Sequence, residues 1–174
     1  MAVFLNNQFL ENEHASLNIM DLSIQRGYAA FDYLRTVNGK PLFLENHLDR
    51  FYTSAEAMRL PLSKTKKELT GIINELIKKS GLSQAGIRLI LTGGYSPDAY
   101  SLAEPNLLIT CNPQTLPSVA DFEKGISIIT YEYQRDLPQV KNTNYMMAVW
   151  LQSKKKKKRA DDVLYFKDNV LTEF

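Results

Sequence analysis

The apolar residues of this chain recur in two periods, and the switches between them mark out the elements. At the start, "AVFLN" and "QFLENE" flank Asn6-Asn7, a turn-prone pair, which predicts a β-hairpin. "RGYAAFDYLRTVNGKPLFLE" predicts two strands, over 29–37 and 41–45. Asn38-Gly39 joins them, because both residues tolerate the positive φ of a tight hairpin turn. From 46 to 59 the spacing becomes helical, with Leu48, Phe51, Ala55 and Met58 on one face. A second helix is predicted over 66–80. Thr65 and Glu68 stand at capping-box spacing before it, Leu69, Ile72, Ile73, Leu76 and Ile77 form its stripe, and Gly81 suits its end.

The alternating run "GIRLILT" (86–92) predicts a strand that stops at Gly93-Gly94, and "NLLITCN" (106–112) predicts another. "PQTLPSVADFEKG" carries two prolines and no period, and reads as a linker. Beyond it the pattern gives a strand over 126–133 and a helix over 142–158 that ends in lysines. "DVLYFKDNVLTEF" then reads as a strand, an Asp168-Asn169 turn and the start of a further strand. The chain is thus expected to be α+β, with an N-terminal unit over 1–112, a linker over 113–124 and a second unit over 125–174. Three strands and a helix bury too little surface to complete that second unit.

Composition narrows the class. A 44% hydrophobic and 10% aromatic content belongs to a chain with a core. A net charge of +2 is too mild to imply a nucleic-acid partner. Cys111 is the sole cysteine, which rules out an internal disulfide or a cysteine-based zinc site and suits a reducing, cytoplasmic setting. "MAVFLNNQFLENE" lacks the basic start and long apolar run of a secretory leader, and no window holds the roughly 20 apolar residues of a membrane span. The run Lys154–Lys158 has no interleaved aromatics to stack on bases, and its charge offsets the negative end of a helix dipole. No nucleic-acid or membrane partner is expected.

Three residues stand where chemistry has a use for them. Lys141, in "LPQVKNTNY", sits where an extended segment hands over to a helix. It reads either as a solvated lysine near a helix start or as an amine projecting into a cleft, where desolvation or an imine bond makes a nucleophile of it. Glu173 follows a strand and a tight turn; it is either a solvated glutamate or a carboxylate facing a cationic ring nitrogen. Arg50 lies on the first long helix beside Leu48 and Phe51. It is either a surface arginine paired with Glu45 or Asp49, or a fork presented to a phosphate. His14 and His47 stand alone, and there is no H-E-x-x-H, paired-cysteine motif, P-loop or G-x-S-x-G, so no metal is expected.

Taken in order, these pieces resemble the class IV aminotransferases: pyridoxal-phosphate (PLP) enzymes of fold type IV that include branched-chain aminotransferases, D-amino-acid aminotransferases and aminodeoxychorismate lyases. The matching residues are Arg26-Gly27, Phe31-Asp32-Tyr33-Leu34-Arg35, Asn38-Gly39, His47-Leu48-Asp49-Arg50 and Ser54-Ala55-Glu56, then Lys141, Asn144 and Thr172-Glu173. The resemblance covers nearly the whole chain. It implies a small N-terminal α+β domain followed by the first part of a larger cofactor-binding α/β domain. It also implies transfer of an amino group between an amino acid and a 2-oxo acid through a Lys141 aldimine, or lyase chemistry on the same cofactor.

The roles it implies are Lys141 as catalytic base and cofactor anchor, Glu173 at the pyridine nitrogen, Arg50 on the phosphate, and Arg135 in support of Glu173. Asn144 and Tyr145 would line the cofactor side, and Phe31, Tyr33 and Arg35 the substrate pocket. A homodimer is implied as well. Three departures stand out: Asp32 replaces the family's usual glutamate, Gly93 follows Thr92 where the D-amino-acid enzymes carry a carboxylate-trapping arginine, and Lys-x-x-Asn-Tyr replaces the longer branched-chain form. The family's chain continues past this glutamate, so the end at Phe174 is expected to be a truncation, and an inactive relative serving as a dimerising fold is the alternative it leaves.

Overall fold

The computed structural model of the chain describes residues 2–173. Phe174, on which the expectation of a truncated end falls, lies outside the described residues. The described chain forms two compact units, one of 2–115 with 139–143, the other of 116–138 with 144–173.

The first unit is a six-stranded antiparallel sheet with helices on one face. Its strands are β1 (Ala2–Leu5), β2 (Gln8–Glu11), β3 (Ala29–Val37), β4 (Lys40–Pro41), β5 (Ala85–Thr92) and β6 (Leu107–Pro113), in the spatial order β2-β1-β6-β5-β3-β4. The first hairpin turns at Asn6 (φ 56°) and the second at Asn38 (φ 51°) and Gly39 (φ 72°), where the sequence predicts them. Register sorts side chains between the faces. Leu34 pairs Ile87 and Asp32 pairs Leu89 on the covered face, whereas Phe31 pairs Ile90 and Tyr33 pairs Arg88 on the open one.

Helices α2 (Leu44–Ala57) and α3 (Lys66–Ser80) bury Leu48, Phe51, Leu69, Ile73 and Leu76 against Leu34, Ile87, Leu89 and Ile109. Each such side chain contributes roughly 1.5–3 kcal/mol of transfer free energy. Thr65 and Glu68 make the reciprocal capping box that the sequence predicts for α3, and Gly81 (φ 65°) ends it.

Three expectations for this unit change. The strand over 41–45 shrinks to two residues, because Phe43 takes φ 50° and turns the chain into α2 at Leu44. A five-residue helix, α1 (Leu22–Arg26), forms where the pattern is too short to show a period. Asp21 accepts from the Ser23 amide at 2.8 Å to start it, and Gly27 (φ 66°) stops it. Residues 139–143 join this unit instead of opening the predicted helix over 142–158. The Phe31 amide donates to the Lys141 carbonyl (3.0 Å), and the Thr143 amide to the Ala29 carbonyl (3.0 Å).

The second unit has β7 (Ile128–Glu132) parallel to β8 (Asp162–Lys167), with β9 (Val170–Glu173) antiparallel to β8 across a turn at Asp168 and Asn169, both at positive φ. Its small core holds Leu151, Val163 and Tyr165, with Ile129, Tyr131, Tyr133 and Met147 packed on them. The predicted 142–158 helix is two pieces, α5 (Met146–Trp150) and α6 (Gln152–Lys157), meeting at Leu151. Within the stretch expected as a linker, Ser118 and Asp121 form a capping box that starts α4 (Val119–Lys124).

Candidate active site

Extended backbone alternates its side chains, and this separates Lys141 from the other lysines nearby. Val140 and Asn142 are buried while Lys141 between them is half-buried, so its side chain leaves on the opposite side from theirs. Its backbone is fixed on both sides: the amide donates to Ser54 Oγ on α2 at 3.1 Å and the carbonyl accepts from Phe31 on β3. The ammonium lies 4.6 Å from the centre of the Phe31 ring, within cation–π range. Lys154–Lys158, by contrast, fall within or just beyond α6. Among them Lys154 stacks its amine over Tyr131 at 4.9 Å and Lys155 donates to the Asp161 carbonyl at 3.1 Å.

A surface arginine at this position would take Glu45 or Asp49 as its partner. Asp49 is bonded by Lys66. Arg50 instead grips Asp32, with Nε to Oδ2 at 2.7 Å and Nη2 to Oδ1 at 2.9 Å, and His47 Nδ1 stands 2.8 Å from the same Oδ1. Asp32 is fully buried beneath α2. In the sequence His47 and Asp32 enter only as members of the matched motifs, Asp32 as a departure from glutamate, with nothing that joins them to each other. A signal is nevertheless there: Asp32 falls on the buried phase of β3 between Ala30 and Leu34, where a charge needs partners. Arg50 and Ser54 are one turn apart on α2, so the arginine and the anchor of the Lys141 amide share a side of the helix.

On the open face of the sheet, Arg88 of β5 lies 5.9 Å from the Phe31 ring and 5.9 Å from the Tyr33 ring. Tyr33 donates to Gln114 Oε1 at 2.8 Å and lies across Gly86, where a Cβ would meet its hydroxyl oxygen at 2.0 Å. Arg35 shares this face but sits four residues along β3 from Phe31, roughly 13 Å away. The structure brings Phe31 to Lys141 and leaves Arg35 at the other end of the strand. Arg88, Gly86 and Gln114 are not singled out by the sequence, because register across three strands decides what they meet.

The remaining expected residues gather in the second unit. Arg135 Nε donates to Glu173 Oε2 at 2.7 Å, and its guanidinium lies 5.1 Å from the Tyr145 ring. With Asn144, Tyr133 and Tyr165 these residues line a cavity of about 220 Å³. The pair is well shielded, Arg135 and Glu173 being 10% and 27% exposed, so its geometry is held more firmly than that of a solvated surface pair. Burial, and then the Glu173 carboxylate, push the Tyr165 phenol above its ordinary value, so it remains protonated at neutral pH. A carboxylate has lone pairs for about four donors, so Glu173 can hold the arginine and accept from a ligand as well.

The donor groups of the two units, each taken by itself, suit pyridoxal phosphate. The first unit has an amine on a fixed backbone and an arginine fork held by a buried carboxylate. The second has a shielded carboxylate able to accept from a ring N–H. The sequence profile of amino-transferase class IV matches residues 29–174. The chain belongs to that family. This class IV chain is 27% identical over 176 residues to a D-alanine aminotransferase of Staphylococcus haemolyticus, covering 98% of the present chain and 62% of the relative.

Two solved structures share the fold-type-IV architecture. A branched-chain amino acid aminotransferase from Escherichia coli superposes with a TM-score of 0.83 at 21% identity, over 97% of this chain and 60% of that one. A hypothetical aminotransferase from Mycobacterium tuberculosis in its PLP-bound form gives 0.82 at 19% identity, over 97% and 63%. The chain thus spans between half and two thirds of the length of the curated relatives it matches. Among the described residues, no helix is long and apolar enough to cross a membrane.

Proposed function

We propose that this class IV chain works in transamination, moving an amino group from an amino acid to a 2-oxo acid, with pyridoxal phosphate as cofactor and Lys141 as the residue that carries it. The observation that bears most weight is the placement of Lys141, whose backbone is tied to both β3 and α2 while its amine is held over Phe31. The family match and the PLP-bound relative support the same reading.

When bound, pyridoxal phosphate supplies an electron sink for the pair left at the substrate α-carbon. The chain's own residues do the rest. Lys141 Nζ would hold the cofactor and, set free when the substrate's amine takes its place, would accept the α-carbon proton as a free amine and give it back on the other side of the exchange. Arg50 binds the phosphate. Glu173, oriented by Arg135, accepts from the pyridine N–H, while Asn144 and Tyr145 line the cofactor side. Phe31 and Tyr33 border the substrate, and Arg35 marks the far end of that strand. The working form is a homodimer in a cytoplasmic setting. Exposed Ile19, Met20, Ile24, Tyr95 and Tyr100, on and beside α1, offer apolar surface for self-association, and sedimentation at micromolar concentration should show a dimer.

The test is transfer of label. The chain is loaded with pyridoxal phosphate and given ¹⁵N-labelled amino acids one at a time with a 2-oxo acid. The label should arrive in the amino acid formed from the 2-oxo acid, and Lys141→Ala should abolish transfer. A cofactor-loaded chain that moves no label from any donor, or that instead releases pyruvate from aminodeoxychorismate, contradicts the proposal.

A further inference from the structure

We propose that Asp32 is a positioning residue for Arg50: together with His47 it presets the guanidinium for a single phosphate group. This rests on the cofactor reading above and goes beyond it, because it assigns a task to two side chains that act through Arg50.

A carboxylate buried without partners is costly, and Asp32 is completely buried. Its two oxygens are met by the Tyr33 amide at 2.7 Å, Arg50 Nε at 2.7 Å, Arg50 Nη2 at 2.9 Å and His47 Nδ1 at 2.8 Å. The two arginine bonds are parallel and bidentate, the geometry that fixes a guanidinium plane. His47 Nδ1 also stands 3.1 Å from Arg50 Nη2; in one tautomer it donates to Asp32 and in the other it accepts from Arg50, so it bonds one member of the pair at a time. The arginine is nonetheless 49% exposed, so one edge is locked into the fold while the side chain still reaches solvent. The clamp also lies beside the lysine: Asp32 follows Phe31 on β3, and Ser54, which holds the Lys141 amide, is one turn beyond Arg50 on α2.

Charge and placement predict opposite signs. Asp32 cancels part of the positive charge that a phosphate would meet, so electrostatics alone says that neutralising it strengthens phosphate binding. An arginine that must be ordered at the moment of binding costs rotamer entropy instead, and the prior clamp removes that cost. If Asp32 positions Arg50, Asp32→Asn weakens binding of the phosphate despite raising the local positive charge.

Two measurements on the full chain decide it. The first needs no cofactor: the Arg50 Nε–H resonance, assigned by its loss in Arg50→Lys, should be resolved in the ¹⁵N spectrum of the wild type and lost to exchange in Asp32→Asn. The second compares dissociation constants for pyridoxal phosphate and for pyridoxal, which lacks the phosphate. Asp32→Asn should weaken pyridoxal phosphate about three- to tenfold, the range for immobilising one long side chain, and leave pyridoxal within about twofold. Asp32→Glu should restore much of the loss, His47→Gln should weaken the phosphate form to a smaller degree, and Asp32→Asn should add nothing in an Arg50→Gln background.

Equal weakening of both ligands, unchanged or tighter binding of pyridoxal phosphate, or losses that multiply with Arg50→Gln would each overturn the proposal while leaving the cofactor reading intact. A wild-type chain that binds neither ligand overturns the cofactor reading, and the phosphate role of Asp32 with it.

Discussion

Tyr33 and Gly86 occupy one volume between them. A methyl group on residue 86 would fall 2.0 Å from the Tyr33 hydroxyl oxygen and within 2.8 Å of its ring, so the Tyr33 side chain must move to admit it. Gly86→Ala is therefore expected to push the exposed Tyr33 ring toward solvent and break the Tyr33–Gln114 bond, at a cost of about 1 kcal/mol, the net worth of one such hydrogen bond. The same change in a Tyr33→Ala background should cost much less, a difference that urea unfolding of the four variants reads directly. Lys141, Glu173, Arg50 and Tyr145 were legible in the sequence as candidates, because their order and spacing along the chain mark them. Asp32 and His47 were not, because their meaning comes from a contact between a strand and a helix. Arg88 and Gly86 depend on register, which a single strand's sequence does not carry.

At the scale of elements, the long periodic segments are the ones the sequence predicts well. Helix α3 has a stripe, a capping box and a stop glycine that all agree. Thr65→Ala should remove about 1 kcal/mol of stability, measured by chemical unfolding, since it leaves the Glu68 amide without its acceptor. The predicted 142–158 helix fails at its start because the backbone of 141–143 is already bonded to β3, a tertiary demand that local spacing cannot show.

The loop after β5 contains a different device. Backbone and hydroxyl bonds from Ser101, then the Tyr100 amide and the Ser96 hydroxyl, hold the Asp98 carboxyl far below the usual carboxylate range. The folded chain then binds fewer protons here than the unfolded chain. The contribution is complete above the ordinary carboxylate value of about 4 and is lost as pH falls below it toward the folded value. Asp98→Asn should flatten the acid limb of stability against pH between about 4 and 2, and an unchanged limb would assign the acid sensitivity to other groups.

On the scale of the whole molecule, the α+β character and the class IV resemblance were legible because several motifs recur in one order along nearly the entire chain. The grouping of residues 139–143 with the first unit was not, since it separates Lys141 from residues only three and four positions later. The amine and the arginine clamp belong to one unit, and the Arg135–Glu173 pair to the other. Lys141, and none of the lysines of α6, is the residue proposed to carry a cofactor. The most direct measurement is to mix the purified chain with pyridoxal phosphate, record its visible spectrum, reduce with borohydride and map the labelled peptide. A visible band with the label confined to Lys141, absent in Lys141→Ala, is the expected result. No band, or a label spread over Lys154–Lys158, would contradict it.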